Sequence, residues 1–227
     1  MRLYVHGAGR AGREAWPEQP RADAVFADHS ACSRMRDKAE LVGGQCPDED
    51  VVLVAHSLGA VPAALAFTNR DITASHVVLL EPALYDIARG HDAIERHVAP
   101  MTVARERAES GDLFGYWQIV GPMMFGREAA RDSWHEDQDL ARRFADLEPP
   151  WGHGIEESAF ATVATMVVTG DWNDEYEAIA GRLTRAGAVH VTLPGAKHRP
   201  QDHPGFERLL VEFVSQERDA VTPPPGA

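Results

Sequence analysis

Short apolar runs alternate along the chain with amphipathic stretches, and this alternation constrains the fold more than any other feature of the sequence. The runs lie at 3–5, 24–27, 51–55, 76–80, 165–169 and 189–193. Two of them, 51–55 and 76–80, are almost continuously apolar, which is typical of parallel strands buried on both faces. Helices are predicted between the runs, at about 34–43, 58–70, 175–186 and 204–217. The pattern predicts an α/β fold: a doubly wound, mostly parallel sheet of about six strands with helices on both faces.

The alternation stops between 83 and 160, where the sequence indicates helices and loops. This stretch is too long for a connection within a sheet, so we predict a helical cap inserted into a single domain of residues 1–227. Its apolar side chains are candidates for the lining of a substrate pocket: Trp117, Met124, Phe125 and Trp151. The Pro-rich end of the chain, residues 218–227, is predicted to be a disordered tail.

Charge and composition exclude several classes of partner. The chain has 22 lysine and arginine residues against 35 aspartate and glutamate residues, a formal net charge of −13. Such a surface repels phosphate backbones, so nucleic acid is not expected as a partner. No apolar stretch approaches the length of a membrane span or of a signal-peptide core. Two cysteines, Cys32 and Cys46, do not make a disulfide framework. We therefore expect a cytoplasmic protein with free thiols and no membrane partner.

The apolar run "VVLVA" ends abruptly in "HSLG", a polar pair followed by a small residue. A strand that turns sharply into a helix can present one side chain at the apex of the turn. The backbone of that residue is strained, so the residues two before and two after it must be small. Here these are Ala55 and Gly59, and the apex is Ser57.

The segment "AHSLG" resembles the G-x-S-x-G nucleophile elbow of the α/β-hydrolase superfamily, with Ala55 in place of the first glycine. The segment "VHGAG" after the first run is similar to the oxyanion turn of that family. The resemblance implies that the backbone N–H groups of Ala8 and Leu58 form the oxyanion hole. The family normally has two strands before this turn, so the chain resembles a member that lacks them.

The resemblance also supplies the base. In "LPGAKHRPQDHP", His198 follows the last predicted strand, where the family has its catalytic histidine. A serine hydroxyl is a poor nucleophile until a base takes its proton, and imidazole titrates in the right range. His203, next to Pro204 at the predicted start of the last helix, is interpreted as structural.

Three carboxylates compete for the third position of the triad. The family usually supplies an aspartate after the penultimate strand, but Asn173 stands where its pattern places that residue. Asp171 directly follows the strand and ranks first. Glu81 ends the run "HVVLL", after which some α/β-hydrolases carry their acid, and ranks second. Asp174 ranks third, because it is typical of a first-turn acid that complements a helix dipole.

The tetrapeptide "ADHS", residues 27–30, brings Asp28, His29 and Ser30 together in sequence. Adjacent residues rarely converge on one point, so we interpret this segment as a loop after a strand. His91 and His97 are six positions apart and do not share a helix face, and no metal site is predicted. No dinucleotide or phosphate-binding motif is present either, so no cofactor is expected.

Taken with the resemblance, these residues predict a cofactor-independent serine hydrolase of the esterase type. Its substrate would be a small, mostly apolar ester, thioester or lactone, and Ser57 would carry the acyl group. Two alternatives remain on the same fold: a ligand-binding sensor with slow or no turnover, and an acyltransferase.

Overall fold

The computed structural model describes residues 1–221, with residues 216–221 described by their backbone alone. The last helix runs to Val221, so it is longer than the prediction of a helix ending at 217. Residues 218–221 of the predicted disordered tail are therefore helical in backbone. The remainder of that tail lies outside the described residues.

Six strands form one sheet, and every neighbouring pair is parallel. The strands are β1 (Arg2–Val5), β2 (Ala24–Ala27), β3 (Val51–His56), β4 (Ala74–Leu80), β5 (Ala164–Thr169) and β6 (Val189–Thr192). Each coincides with a predicted apolar run to within two residues at either end. The predicted fold class is confirmed.

Seven α-helices accompany the sheet in the described part of the chain. They are α1 (Met35–Gly44), α2 (Ala60–Thr68), α3 (Asp92–Glu109), α4 (Leu113–Val120), α5 (Trp134–Ala145), α6 (Asp174–Arg185) and α7 (Phe206–Val221). Short 3-10 helices lie at Gly12–Ala15, Ser57–Gly59, Tyr85–Ala88, Glu157–Phe160 and Pro200–Asp202, and a π-helical segment lies at Gly121–Phe125. Within residues 1–221, every helix is too short or too polar to cross a lipid bilayer.

Both faces of the sheet are covered, as the continuous apolar runs predict. Alternate strand residues on one face, such as Val54 and Val78, pack in a core cluster with Phe206 and Leu210 of α7. Their neighbours in sequence point to the opposite face. Leu79, for example, is also almost completely buried. This two-sided burial explains why β3 and β4 are apolar at nearly every position.

The strand order is β2-β1-β3-β4-β5-β6, so the chain reverses its direction of progress across the sheet between β1 and β3. In open α/β sheets such a switch point leaves a crevice at the carboxyl ends of the two strands, and ligands bind there. The turn after β1 and the turn after β3 meet at this point. They contain the predicted oxyanion residue Ala8 and the predicted nucleophile Ser57.

The chain divides into two compact units. The sheet unit comprises Met1–Ala88 and the chain from Pro150 onward, and the helical unit comprises Arg89–Pro149. The helical unit lies inside the insertion predicted at 83–160, and the two ends of that insertion belong to the sheet unit. Its function as a cap stays a prediction.

Candidate active site

Ser57 occupies a strained turn between β3 and the helical segment that leads into α2. Its φ is +54°, in the left-handed region that residues with a side chain rarely adopt. Strain of this kind persists only where the surrounding structure enforces it, and it clusters at functional sites. The turn presents the Ser57 hydroxyl at the carboxyl end of β3.

Close packing explains why the residue two positions after Ser57 is a glycine. A Cβ added to Gly59 would lie 2.1 Å from the carbonyl oxygen of His6 in the turn after β1. A Cβ added to Gly7 would lie 3.0 Å from the Cβ of Ser57. The turn after β1 is therefore packed directly against the elbow, with Gly7, the residue before Ala8, next to the serine.

His198 lies in the loop between β6 and α7 and reaches the serine. Its Nε2 is 3.0 Å from the Oγ of Ser57. The backbone of this loop passes so close to the end of β5 that a Cβ on Gly170 would lie 2.1 Å from the carbonyl oxygen of Lys197. Lys197 itself has a φ of +49°. The loop that carries His198 is thus packed tightly against the end of β5 immediately before the histidine.

Glu81 is the carboxylate that the structure brings to His198. It follows β4, has no exposed surface, and its Oε2 lies 3.5 Å from Nδ1 of His198. The backbone N–H of Gly170 donates to Oε1 at 2.6 Å, and the indole N–H of Trp172 donates to Oε2 at 2.7 Å. A buried carboxylate with several donors satisfies the requirement that buried charges be hydrogen-bonded and paired.

The first-ranked acid, Asp171, does not occupy that position. Its backbone has a φ of +55° and its side chain is exposed to solvent at the end of β5. Asp174 is the first residue of α6, and the Asn173 side chain caps that helix by accepting from the N–H of Glu175 at 2.8 Å. Of the three candidate acids, the structure therefore brings the second-ranked, Glu81, to His198, whereas Asp171 and Asp174 lie at the entry into α6.

Two aromatic residues that sequence reasoning missed surround the histidine. The ring of Tyr176 is stacked on the His198 ring, with centroids 5.2 Å apart, and the ring of Trp172 meets it edge-on at 5.8 Å. Burial raises the pKa of Tyr176 well above its ordinary value, and an interaction with the Ser57 hydroxyl acts in the opposite direction. Tyr176 therefore lies beside both members of the Ser57–His198 pair. The only signal in the sequence was the presence of two aromatic residues in the otherwise polar segment "DWNDEY" after β5.

The residue before the nucleophile also contacts the histidine loop. Nε2 of His56 lies 2.7 Å from the carbonyl oxygen of His198, so this nitrogen carries a proton and donates it. Burial lowers the pKa of His56 to about 3, and the nearby His198 acts in the same direction. His56 is consequently a neutral hydrogen-bond donor that ties the His198 backbone to the end of β3.

The predicted pocket residues have different environments. In the helical unit, Trp117 has no exposed surface, and its indole N–H donates to Oδ2 of Asp137 at 3.0 Å. It belongs to the interior of that unit, where Phe125 packs against it at 5.3 Å between ring centroids. Met124 is 45% exposed. In the sheet unit, Trp151 stacks on Tyr85 with the ring planes 6° apart.

A family model for the alpha/beta hydrolase family matches residues 3–207 of the chain. The chain belongs to the α/β-hydrolase family. A search of curated proteins finds no match to the sequence. Similar solved structures cover nearly the whole of this α/β hydrolase at low sequence identity.

MenH from S. aureus is 13% identical, with a TM-score of 0.62, and the match covers 95% of this chain and 93% of MenH. An alpha/beta hydrolase from Sphaerobacter thermophilus is 17% identical with a TM-score of 0.59, over 93% of this chain and 91% of that one. E-2-(Acetamidomethylene)succinate hydrolase is 18% identical with a TM-score of 0.58, and the match covers 95% of this chain and 91% of that hydrolase. At these identities the structures establish a shared fold.

Proposed function

We propose that this α/β hydrolase is a serine hydrolase that cleaves a small, mostly apolar ester, thioester or lactone through an acyl-enzyme on Ser57. The observation that carries the proposal is the 3.0 Å contact between the Ser57 hydroxyl and Nε2 of His198 on a strained elbow. A nucleophile within hydrogen-bond reach of a base, with the base oriented by a third group, is the arrangement that activates a serine.

The proton positions follow from the partners. Nε2 of His198 accepts a hydrogen bond from the Ser57 hydroxyl, so in the neutral ring the single N–H is on Nδ1 and faces Oε2 of Glu81. When the hydroxyl oxygen attacks the substrate carbonyl, its proton moves to Nε2. The buried Glu81 carboxylate stabilises the resulting imidazolium and keeps the ring oriented.

The negative charge that develops on the carbonyl oxygen needs donors on the other side of the serine. We assign the backbone N–H groups of Ala8 and Leu58 to this role, because the turn after β1 is packed against the elbow. Collapse of the tetrahedral intermediate breaks the bond to the leaving group, which takes the proton from Nε2. Water then attacks the acyl-enzyme, gives its proton to the same nitrogen, and releases the acid.

The proposal includes an apolar acyl site and a cytoplasmic location. Exposed Trp172 and half-buried Trp151 are the aromatic side chains of the sheet unit that we assign to the acyl site. Cys32 and Cys46 are both free thiols, which fits a reducing compartment.

Intact-mass measurement after treatment with a fluorophosphonate tests the proposal. The Ser57 oxygen would displace fluoride from phosphorus, so the native protein should gain one phosphonyl group and Ser57→Ala should gain none. Hydrolysis of p-nitrophenyl acetate and butyrate, followed as p-nitrophenol release, then separates turnover from a single burst. A folded native protein that forms no adduct would refute the serine-hydrolase proposal and favour a ligand-binding sensor. Transfer of the acyl group to an added alcohol in preference to water would favour an acyltransferase.

A further inference from the structure

Two buried histidines are stacked on each other at the turn that follows β1. The rings of His6, in that turn, and His29, in the loop after β2, have centroids 3.9 Å apart and planes 11° apart. Each residue is 3% exposed. Because β1 and β2 are neighbours, the loops at their carboxyl ends meet. The segment "ADHS" is the predicted loop after a strand, but Asp28 and His29 in it both contact His6.

The contacts of His29 fix its proton. Nε2 lies 2.9 Å from the carbonyl oxygen of His6, which can only accept, so Nε2 carries the proton. Burial lowers the pKa of His29 to about 3, and the neighbouring His6 and Lys38 act in the same direction, so the ring is neutral. Nδ1 is then an acceptor, and Nζ of Lys38 lies 3.4 Å from it. The same Nζ also donates to the carbonyl oxygen of His29 at 3.2 Å.

The contacts of His6 fix the opposite tautomer. Nδ1 lies 2.7 Å from the carbonyl oxygen of Gly7, so Nδ1 carries the proton. Nε2 accepts from the backbone N–H of His29 at 3.4 Å, and Oδ1 of Asp28 lies 3.6 Å from the same nitrogen. Burial is the main cause that lowers the pKa of His6. The His29 ring thus donates to the His6 carbonyl, and the His6 ring donates to the Gly7 carbonyl. We call these contacts, together with that of Lys38 to His29, the relay.

The last bond of this relay acts on the proposed oxyanion hole. The carbonyl of Gly7 and the N–H of Ala8 belong to one planar peptide unit, so holding the oxygen in place also sets the direction of the N–H. An amide whose oxygen accepts a hydrogen bond is polarised, and its N–H becomes a stronger donor. The His29 bond to the His6 carbonyl holds the preceding peptide in the same way.

We propose that His29 and Lys38, acting through His6, are positioning residues that aim the Ala8 N–H at the oxyanion of the reaction. This inference rests on the proposed function, because it assigns the relay to the oxyanion hole of that same site. None of the three side chains needs to touch the substrate. Lys38 is only 4% exposed and its ammonium is directed at His29, which fits a role inside the protein and not on its surface.

Replacements that keep or remove one N–H group test the relay. The amide of glutamine can place an N–H near Nε2 of a histidine, and that of asparagine can place one near Nδ1. At position 29 we therefore expect Gln to retain function and Asn and Leu to lose it. At position 6 we expect the reverse order, with Asn retaining function and Gln and Leu losing it. Lys38→Met should resemble His29→Leu.

The assays are kcat and KM for p-nitrophenyl acetate, and the affinity for a trifluoromethyl ketone that forms a tetrahedral adduct. We expect His29→Leu and Lys38→Met to lower kcat by about tenfold and to weaken the ketone by a similar factor, with KM little changed. His76→Leu is the matched control, because His76 is a buried histidine in the early part of β4, at the opposite end of the strand from Glu81. The Tm of every variant shows whether a loss of kcat comes from a loss of folded protein or from a misplaced Ala8 N–H.

A spectroscopic measurement makes the test independent of activity. Long-range ¹⁵N–¹H spectra of the histidine rings should show two neutral rings of opposite tautomer at pH 7, which His6→Asn and His29→Gln assign. Rings of the same tautomer, or a protonated ring, would overturn the relay. Equal kcat in His29→Leu and native protein, or equal losses in the Leu, Asn and Gln variants at position 29, would also overturn it. A native protein that shows both tautomers but no fluorophosphonate adduct would refute the proposed function, and the relay would then have no catalytic role.

Discussion

Ser57 and His198 are 141 positions apart in the chain, yet the serine Oγ lies 3.0 Å from the histidine Nε2. Ser57 lies at the end of β3, and His198 lies in the loop after β6. The strands β4 and β5 separate β3 from β6 in the sheet. Backbone contacts at Gly170 and the His56 hydrogen bond hold the loop that carries His198 in position. The two residues can meet because the sheet is parallel, so the carboxyl ends of all its strands lie at the same edge.

Removing the base should nearly abolish the reactivity of Ser57. In His198→Gln the hydroxyl keeps a hydrogen-bond partner but loses its proton acceptor, so we expect the fluorophosphonate rate constant to fall by about 10³-fold or more. Time-resolved intact mass measures this rate. His203→Gln is the matched control, because His203 lies in the same segment and accepts a hydrogen bond from the Gly205 N–H at 3.1 Å. Similar rates for native protein and His198→Gln would contradict a Ser57–His198 unit.

Replacement of one carboxylate oxygen by an amide nitrogen should identify the residue that acts as the acid of the triad. Glu81→Gln keeps the volume and the acceptor for the Gly170 N–H but removes the charge that faces His198. We expect kcat/KM to fall by roughly 10²–10⁴-fold, as for a triad whose acid becomes an amide. Asp171→Asn should change kcat/KM by less than about threefold, because its carboxylate is exposed. A larger loss in Asp171→Asn than in Glu81→Gln would return the acid to the loop after β5.

Two glycines should be intolerant of alanine for steric reasons. The new methyl group would meet the His6 carbonyl in Gly59→Ala and the Lys197 carbonyl in Gly170→Ala, each at 2.1 Å. Because backbone would have to move, we expect a loss of roughly 2–4 kcal/mol in the free energy of unfolding. Urea denaturation measures it.

Gly181→Ala is the control for these glycines. It lies within α6 with nothing within 4 Å of the added Cβ. Alanine has the higher helix propensity, so this change should stabilise the protein by up to about 1 kcal/mol. Destabilisation of all three variants by the same amount would show that steric conflict at the two close approaches does not determine the loss.

The central strands β3 and β4 were predictable because they are buried on both faces. The sequences of such strands are continuous apolar runs, and β3 and β4 match that pattern almost to the residue. The strained turn at Ser57 was predictable for a related reason: an apolar run that ends in a polar apex between small residues is typical of a strand that turns sharply into a helix. Both signals are local in sequence, and tertiary contacts only had to agree with them.

The carboxylate that lies beside His198 was not predictable in this way, because Glu81 and Asp171 follow adjacent strands and both have positive φ. Which of them faces His198 depends on the direction of each side chain and on the donors around it. One signal was available in the sequence. Glu81 directly follows the apolar run "VVLL", and a carboxylate beside such a run is buried only with a partner. The contacts of His29 with His6 were missed because they join two loops that are distant in sequence.

The buried neutral histidines should make the protein sensitive to acid. Burial lowers the pKa of both His29 and His56 to about 3, against an ordinary value of 6.5. Between these values the unfolded chain binds more protons than the folded one, so the free energy of unfolding falls as pH is lowered from 6.5 toward 3. Each histidine contributes a slope of at most about 1.4 kcal/mol per pH unit in that window, and none above it.

Urea denaturation at several pH values between 7.5 and 4.5 measures this slope. In His56→Gln the donor to the His198 carbonyl can be retained while the titrating ring is removed, so the slope should fall by about the share of one histidine. Ser57→Ala, which removes a neighbouring side chain but no titrating group, should keep the native slope. If His56→Gln and the native protein lose stability in parallel as pH falls, the pKa of His56 is not lowered in the folded protein and His56 does not contribute to the acid sensitivity.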